Sequence, residues 1–440
     1  MDSTLRSTPR ICVIGGGPAG LTCARVLQGH GVEVTVYDAD EAVDSRDPGG
    51  TLDLHADSGQ IALEDAGLLD AFLARARPEG QAKTRRDHHG TVLAEFTPGP
   101  GDEAAPEIDR GRLRRMLFDH LRPGTVRWGH RLVRVNPLGD GGHLLEFADG
   151  TTVRADLVIG ADGAWSKVRP LVSDAAPRHL GVCFLDARFD EVDSRHPEVA
   201  GLVGAGHLFS NDNDGRAVIL QRNGDGVVRG YIAFRAAPDW HSAAGVDLAD
   251  RESIRSHLVR EFGHWSPAMR ALIVRNDGDY VPRSFWALPA PLTWEHVPGV
   301  TLIGDAAHLM APFGGHGANL AMLDGAELAH AVSRAVGPDP VATLDEAVAD
   351  HESAMFARSG ELAASSNDAL VEFFATTDEP DLPPDHEQEH RDYLARAAAY
   401  RRERERERVR GRGQRAEAQG SSAGSSAEPG PDRGADRPVP

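Results

Sequence analysis

Short apolar runs closed by glycine or polar clusters organise the first third of the chain. Residues 11–14 (Ile-Cys-Val-Ile) predict a buried strand, residues 21–27 a helix, and the valine-rich residues 32–37 a second strand. Strand, glycine turn, helix and strand form a βαβ unit, which requires a parallel sheet. Ile61, Leu63, Ala66, Leu69 and Phe72 fall at helical spacing and predict a helix over 58–72, with another over 112–121. Two later apolar strands, 155–159 and 300–303, run into polar loops: Gly160-Ala-Asp-Gly163 and Gly304-Asp-Ala-Ala-His308. In an open parallel sheet such loops meet a ligand at the carboxyl edge.

The pattern changes between 178 and 285. Residues 217–221 and 227–234 alternate around Asn223-Gly-Asp-Gly226, a hairpin signal. This stretch reads as an inserted, mostly antiparallel sheet. Residues 318–336 then return to helical spacing, and Thr343 caps a further helix running to about 374. The expected fold is α/β: a Rossmann-like FAD-type parallel sheet domain (10–177 plus 286–340), an inserted substrate sheet (178–285) and a bridging helix (343–375). A charged, mostly disordered tail (376–440) follows. Within it, Asp378-Glu-Pro and Pro383-Pro384 break the chain, residues 391–418 can form a charged helix, and Gly420 onward is Gly/Ser/Pro-rich.

Composition narrows the classes. The 440 residues are 40% hydrophobic and carry a formal charge of −20, which repels phosphate backbones and argues against a nucleic-acid partner. Cys12, Cys23 and Cys183 are too few for a disulfide framework, and Cys12 and Cys23 read as small buried hydrophobes. The first ten residues lack an apolar secretory segment, and no apolar stretch is long enough to span a bilayer. The expectation is a cytoplasmic protein.

The chemistry begins at Gly15-Gly-Gly-Pro-Ala-Gly20, a G-x-G-x-x-G pattern placed between a strand and a helix. Gly15 makes the turn, Gly17 lets backbone approach a pyrophosphate, and Gly20 lets helix pack on strand. Ala19 lies in the same turn, whose free N–H groups favour an anion. Asp38 ends the second strand, where a carboxylate accepts hydrogen bonds from a ribose diol and repels a 2′-phosphate. The pattern suits FAD or NAD and does not choose between them.

With the two later loops added, the sequence resembles the class A flavoprotein monooxygenases, most closely the branch of tetracycline-inactivating monooxygenases, over roughly 10–375. Gly160-Ala-Asp-Gly163 with Ser166-Lys-Val-Arg169 resembles the motif that closes on the flavin pyrophosphate and shapes the nicotinamide approach, which implicates Asp162 and Gly163. Gly304-Asp305 followed by Pro312-Phe-Gly-Gly-His-Gly-Ala-Asn319 resembles the motif whose aspartate holds the ribityl chain. This implies Asp305, Pro312, Gly315, Gly317 and Asn319 at the flavin. Arg46-Asp-Pro-Gly-Gly-Thr-Leu-Asp53 and Ile108-Asp-Arg110 with Leu113-Arg114 resemble the branch's further flavin contacts, which implies Arg46, Asp53 and Arg110. Two positions depart from the branch. Ala39 stands where the branch carries a basic residue, leaving NADH and NADPH open. Arg229 stands where tetracycline-inactivating members carry a histidine facing substrate, so Arg229 is the candidate substrate contact and tetracycline is not inferred.

The resemblance implies FAD as cofactor, NAD(P)H and O2 as co-substrates, and transfer of oxygen through a flavin C4a-hydroperoxide to an aromatic or polycyclic small molecule. It also implies a monomer. The cofactor does the redox chemistry, so no catalytic side chain is assigned. The alternative is a dehydrogenase or reductase of the same fold without oxygen insertion. His386-Glu-Gln-Glu-His390 matches H-E-x-x-H, but a segment charged on every side offers no apolar seat for a metal helix, so no metal is assigned. Gly420-Ser-Ser-Ala-Gly424 matches G-x-S-x-G without the strand and helix that an active serine needs. A metalloprotease and a ligand-sequestering protein are the competing classes outside flavin redox chemistry.

Overall fold

The computed structural model describes residues 8–47, 49–377 and 384–423, with side chains described as far as Arg406. Its first sheet has five parallel strands, in the order Val300–Leu302, Leu157–Gly160, Ile11–Ile14, Val34–Tyr37 and Val126–Arg127. Register is what matters for function. Ile14 pairs with Gly160, and Gly160 with Leu302. The three polar loops therefore leave the sheet side by side at one edge. Val126–Arg127, too short to carry a period, is the strand the pattern did not show.

The helix Pro18–Gly29 packs on His316–Val336. A β-carbon at Gly325 would lie 2.5 Å from the Ala19 carbonyl oxygen, so only glycine lets the two backbones approach this closely. Leu21, Leu27, Ile159, Met322 and Leu328 fill the core between helices and sheet. The helix expected over 58–72 divides into Gly59–Asp65 and Leu69–Leu73, because Gly67 takes a left-handed φ of +69° between them.

The second sheet is larger than expected. Its seven strands run Pro282–Ala287, Arg178–Phe189, Val228–Arg235, Arg216–Arg222, His207–Asn211, Lys83–Asp87 and Val92–Phe96. The last two come from the segment assigned to the flavin domain: Lys83–Asp87 joins His207–Asn211 in parallel. The polar composition of 83–87 (Lys-Thr-Arg-Arg-Asp) hid a strand whose partner is remote in sequence. The Asn223–Gly226 hairpin is present, with Asp225 and Gly226 both at positive φ. One sheet face is covered by helices Arg251–Glu261 and Pro267–Val274 over Leu185, Phe189, Ile232 and Trp265.

The bridging helix spans Leu344–Phe373, with Thr343 and Glu346 forming a reciprocal capping box. A further helix, His386–Ala423, contains the charged helix expected over 391–418 and begins earlier. Its first half docks on the flavin domain through buried Tyr393 and Ala397, against Ala56 and Ala105. The Asp378–Pro383 break and the stretch after 423 lie outside the described residues. Among the described residues, no helix is long and apolar enough to cross a membrane.

Candidate active site

The glycine turn is built as its residues demand. Gly15 sits at φ +109°, and a β-carbon there would lie 2.2 Å from the Ala161 oxygen. At Gly20 a β-carbon would meet the Gly15 oxygen at 2.1 Å, whereas at Gly17 it would meet nothing within 4 Å. Ala19 is buried in the first turn of the helix. Buried Asp38 accepts hydrogen bonds from the N–H groups of Gly16 (2.5 Å) and Asp40 (2.8 Å). Beside it lies Arg114, quoted in the sequence motif but not assigned a role. Arg114 Nε donates to the Gly16 oxygen at 2.9 Å, Nη1 pairs with Asp40 at 2.8 Å, and Nη2 stands 3.6 Å from Asp38. That Nη2 is buried with no hydrogen-bond partner among the described residues. Its position four residues after Arg110, on the same helix face, was the available signal.

In the second loop, Asp162 Oδ2 accepts from the Lys167 N–H at 2.7 Å, while its buried Oδ1 has no partner among the described residues. Burial pushes this carboxyl above its ordinary value. Gly163 is at φ +77° with open space where a side chain would be. Buried Arg169 donates to the oxygens of Ala164 (2.7 Å) and Ala306 (3.0 Å), clamping the second loop to the third.

In the third loop, Asp305 is exposed at the start of the short helix Asp305–His308. The loop is held from beneath by Asp324, which is fully buried. Asp324 accepts from Gly304 N (3.2 Å), pairs with His308 Nε2 (2.6 Å), and receives Arg358 of the bridging helix (2.8 Å). Burial pushes His308 down, but the Asp324 carboxylate outweighs it and the imidazole is raised overall. Asp324, despite burial, is held far below the carboxylate range by His308 and Arg358.

Beyond it, Gly314 and Gly315 turn at φ +78° and +68°, and the helix His316–Val336 begins without a side-chain cap. Pro312 is exposed, and a β-carbon at Gly317 would meet only Met310, 4.0 Å away. The Asp53 carboxylate lies against Gly315, 2.6 Å from where a β-carbon would sit. It is 3.3 Å from His55 Nε2. Burial opposes its ionisation, yet His55 holds it well below its ordinary value. Burial and then His55 push His316 down to about 4. His55 stacks on Tyr393 of the terminal helix, centroids 4.1 Å apart. Asn319 was expected at the flavin; its amide is engaged with backbone of Asp53, His55, Gly59 and Gly315.

The arginines are placed differently from expectation. Arg46 is exposed and pairs with Asp40 at 2.8 Å. Arg110 is exposed, its N–H bonded to the Gly50 oxygen at 3.1 Å and its stem beside Gly49. Arg229, the candidate substrate contact, pairs with Asp47 through both its Nη atoms, and Nη1 also donates to the Gly49 oxygen at 3.0 Å. The pair holds Asp47 down to about 2. What the sheet turns toward the third loop is aromatic. Phe184 stacks on Phe285 (4.5 Å) and touches Tyr231 (4.5 Å), and the cluster includes Phe313 and Phe373.

In the H-E-x-x-H pair, His386 bonds Glu389 at 2.7 Å and His390 bonds Asp102 at 2.8 Å. No group of three or more metal-ligating side chains occurs among the described residues.

The open space over Gly17, Gly163 and Gly317 and the two orphaned polar atoms, Arg114 Nη2 and Asp162 Oδ1, fit an elongated phosphate-bearing cofactor laid across the three loops. Comparison with known proteins agrees. The model of an FAD binding domain family matches residues 8–265 and 293–353. A 3-amino-4-hydroxybenzoate 2-monooxygenase (PtnB3) of Streptomyces platensis is 33% identical over 353 residues, 76% of this chain and 82% of the relative. Monooxygenase asqM of Emericella nidulans is 28% identical over 375 residues, 74% of this chain and 84% of the relative. Among solved structures, Klebsiella pneumoniae HpxO complexed with FAD and uric acid shares the fold at a TM-score of 0.69 and 21% identity, covering 90% and 95% of the two chains. Tetracycline destructase Tet(55) shares it at 0.61 and 22%, covering 89% and 96%.

Proposed function

From the premise that the chain belongs to the FAD binding domain family and is an FAD-dependent monooxygenase, we propose that it hydroxylates an aromatic or polycyclic small molecule, with NAD(P)H as electron donor and O2 as oxygen source. The observation that supports this reading is the alignment of three loops at one sheet edge, opposite an aromatic sheet face.

Bound FAD supplies the redox chemistry, taking electrons from the nicotinamide and passing them to oxygen. The chain's own residues bind, orient and exclude water. The N-terminus of Pro18–Gly29 and the bare backbone at Gly17 receive the pyrophosphate. Asp38 meets the ribose diol, with Arg114 offsetting charge beside it. Asp305 is free to accept from the ribityl hydroxyls. Gly315 and Gly317 bring the uncapped start of a 21-residue helix to the ring, where its N–H groups stabilise negative charge. His316, pushed down to about 4, is neutral at pH 7 and adds no cation there.

The substrate side is Phe184, Tyr231, Phe285, Phe313 and Phe373, suited to stacking a planar ring and keeping the site dry. The test is oxygen uptake by the holoprotein across a panel of aromatic compounds. One O2 consumed per NAD(P)H, with a product one oxygen atom heavier, supports the reading. Turnover without oxygen in the product identifies a reductase or dehydrogenase instead.

A further inference from the structure

Trp165 is 60% exposed, and no other aromatic side chain among the described residues is counted as a large exposed hydrophobic. It does not hang from a loose loop. The preceding residue, Ala164, gives its oxygen to buried Arg169, and the following residue, Ser166, is buried and caps the N–H groups of Val168 and Arg169. The ring is edge-on to Trp286 (centroids 5.3 Å), and Trp286 is edge-on to His179, its cross-strand partner (5.3 Å). Three rings thus form a ridge where the second flavin loop meets the sheet. Two exposed cations flank it in the chain: Lys167, two residues after Trp165, and Arg178, next to His179. Neither forms an ion pair among the described residues, although the chain carries 20 more formal negative than positive charges.

A fixed, open indole with exposed cations close by in the chain suits a ligand with a planar base and phosphates. The side of the strand matters. Phe285 faces the aromatic wall of the substrate site, so Trp286, one residue on, faces away from it. The ridge is therefore placed for the far end of a long ligand rather than for its reacting ring.

We propose that this ridge is the docking site for the adenosine half of the reduced nicotinamide dinucleotide: adenine stacks on Trp165, Lys167 and Arg178 meet the phosphates, and the nicotinamide reaches on toward the flavin. The assignment rests on the reading that NAD(P)H is the electron donor.

The test is anaerobic flavin reduction in the holoprotein, followed by stopped-flow absorbance over a range of NADPH, NADH and reduced nicotinamide mononucleotide, which lacks the adenosine half. Trp165→Ala should raise the apparent Kd for the dinucleotide about tenfold, the scale of one base–aromatic stack. It should leave the Kd for the mononucleotide, the limiting rate and the FAD content unchanged. Trp165→Phe should recover most of the loss. The double variant Lys167→Gln/Arg178→Gln should weaken dinucleotide binding most at low salt. An unchanged dinucleotide Kd in Trp165→Ala, or an equal shift for the mononucleotide, would overturn the site. A wild-type holoprotein that none of the three nucleotides reduces would overturn the electron-donor reading itself.

Discussion

Asn319 Nδ2 donates to the main-chain oxygen of Asp53 at 2.7 Å, across 266 positions of sequence. The same group donates to Gly315 O (2.9 Å), while Oδ1 accepts from the N–H groups of His55 (2.8 Å) and Gly59 (3.1 Å). One buried amide therefore fixes the spacing between the Asp53 strand and the glycine loop that faces it. Asn319→Ala leaves the buried N–H groups of His55 and Gly59 without this acceptor, at about 1–3 kcal/mol for an unsatisfied group. We expect a loss of about 3 kcal/mol in unfolding free energy, measured by chemical denaturation, together with weaker FAD binding measured by flavin fluorescence.

Gly15 and Gly17 answer to different constraints and should fail differently. Gly15→Ala forces a β-carbon onto the Ala161 backbone at a φ that side chains rarely adopt, so the apoprotein itself should be destabilised. Gly17→Val meets no protein atom within 4 Å of the new β-carbon. It should leave the apoprotein's melting temperature within a few degrees of wild type while abolishing FAD uptake. Equal loss of apoprotein stability in both variants would contradict this division.

Two histidines give pH dependences of opposite sign. His308 is raised in the fold, so its contribution is full below its ordinary value of 6.5 and is lost as pH rises through the raised value. Its partner Asp324 is lowered, so that contribution is present above 3.8 and is lost as pH falls through the lowered value. His316 is pushed down to about 4, so the fold resists its protonation and stability falls as pH drops from 6.5 toward 4. In denaturation series at several pH values, His308→Gln should remove the alkaline loss, and His316→Gln should flatten the slope between pH 6.5 and 4.

Packing and ion pairs hold the terminal helix against the rest of the chain. Tyr393 stacks on His55, His390 pairs with Asp102, and Arg404 pairs with Asp65. Tyr393→Ala should cost about 3 kcal/mol, the usual scale for truncating a buried aromatic ring. A strong chelator should change neither activity nor melting temperature. A chelator-sensitive melt would contradict the assignment of His386 and His390 to carboxylate partners.

Much of the flavin side was legible because its signals are local. Gly15, Gly17 and Gly20 fall in one six-residue pattern between an apolar strand and a helix, and strands such as 157–160 announce themselves as unbroken apolar runs. The hairpin at Asn223–Gly226 was legible for the same reason. What escaped depends on distant partners. Lys83–Asp87 reads as polar and becomes a strand only beside His207–Asn211. Arg229 offered a free cation in sequence, and nothing local marked Asp47, 182 positions away, as its partner. The terminal helix was legible as a charged helix over 391–418, but its docking was not, because only Tyr393 and Ala397 supply apolar contact.

The most direct test of the central claim is the absorption spectrum of the purified protein, recorded before and after anaerobic addition of NADH or NADPH and again after admitting air. The account predicts flavin bands that bleach with the nucleotide and return with oxygen. A colourless protein that also fails to take up added FAD would contradict it.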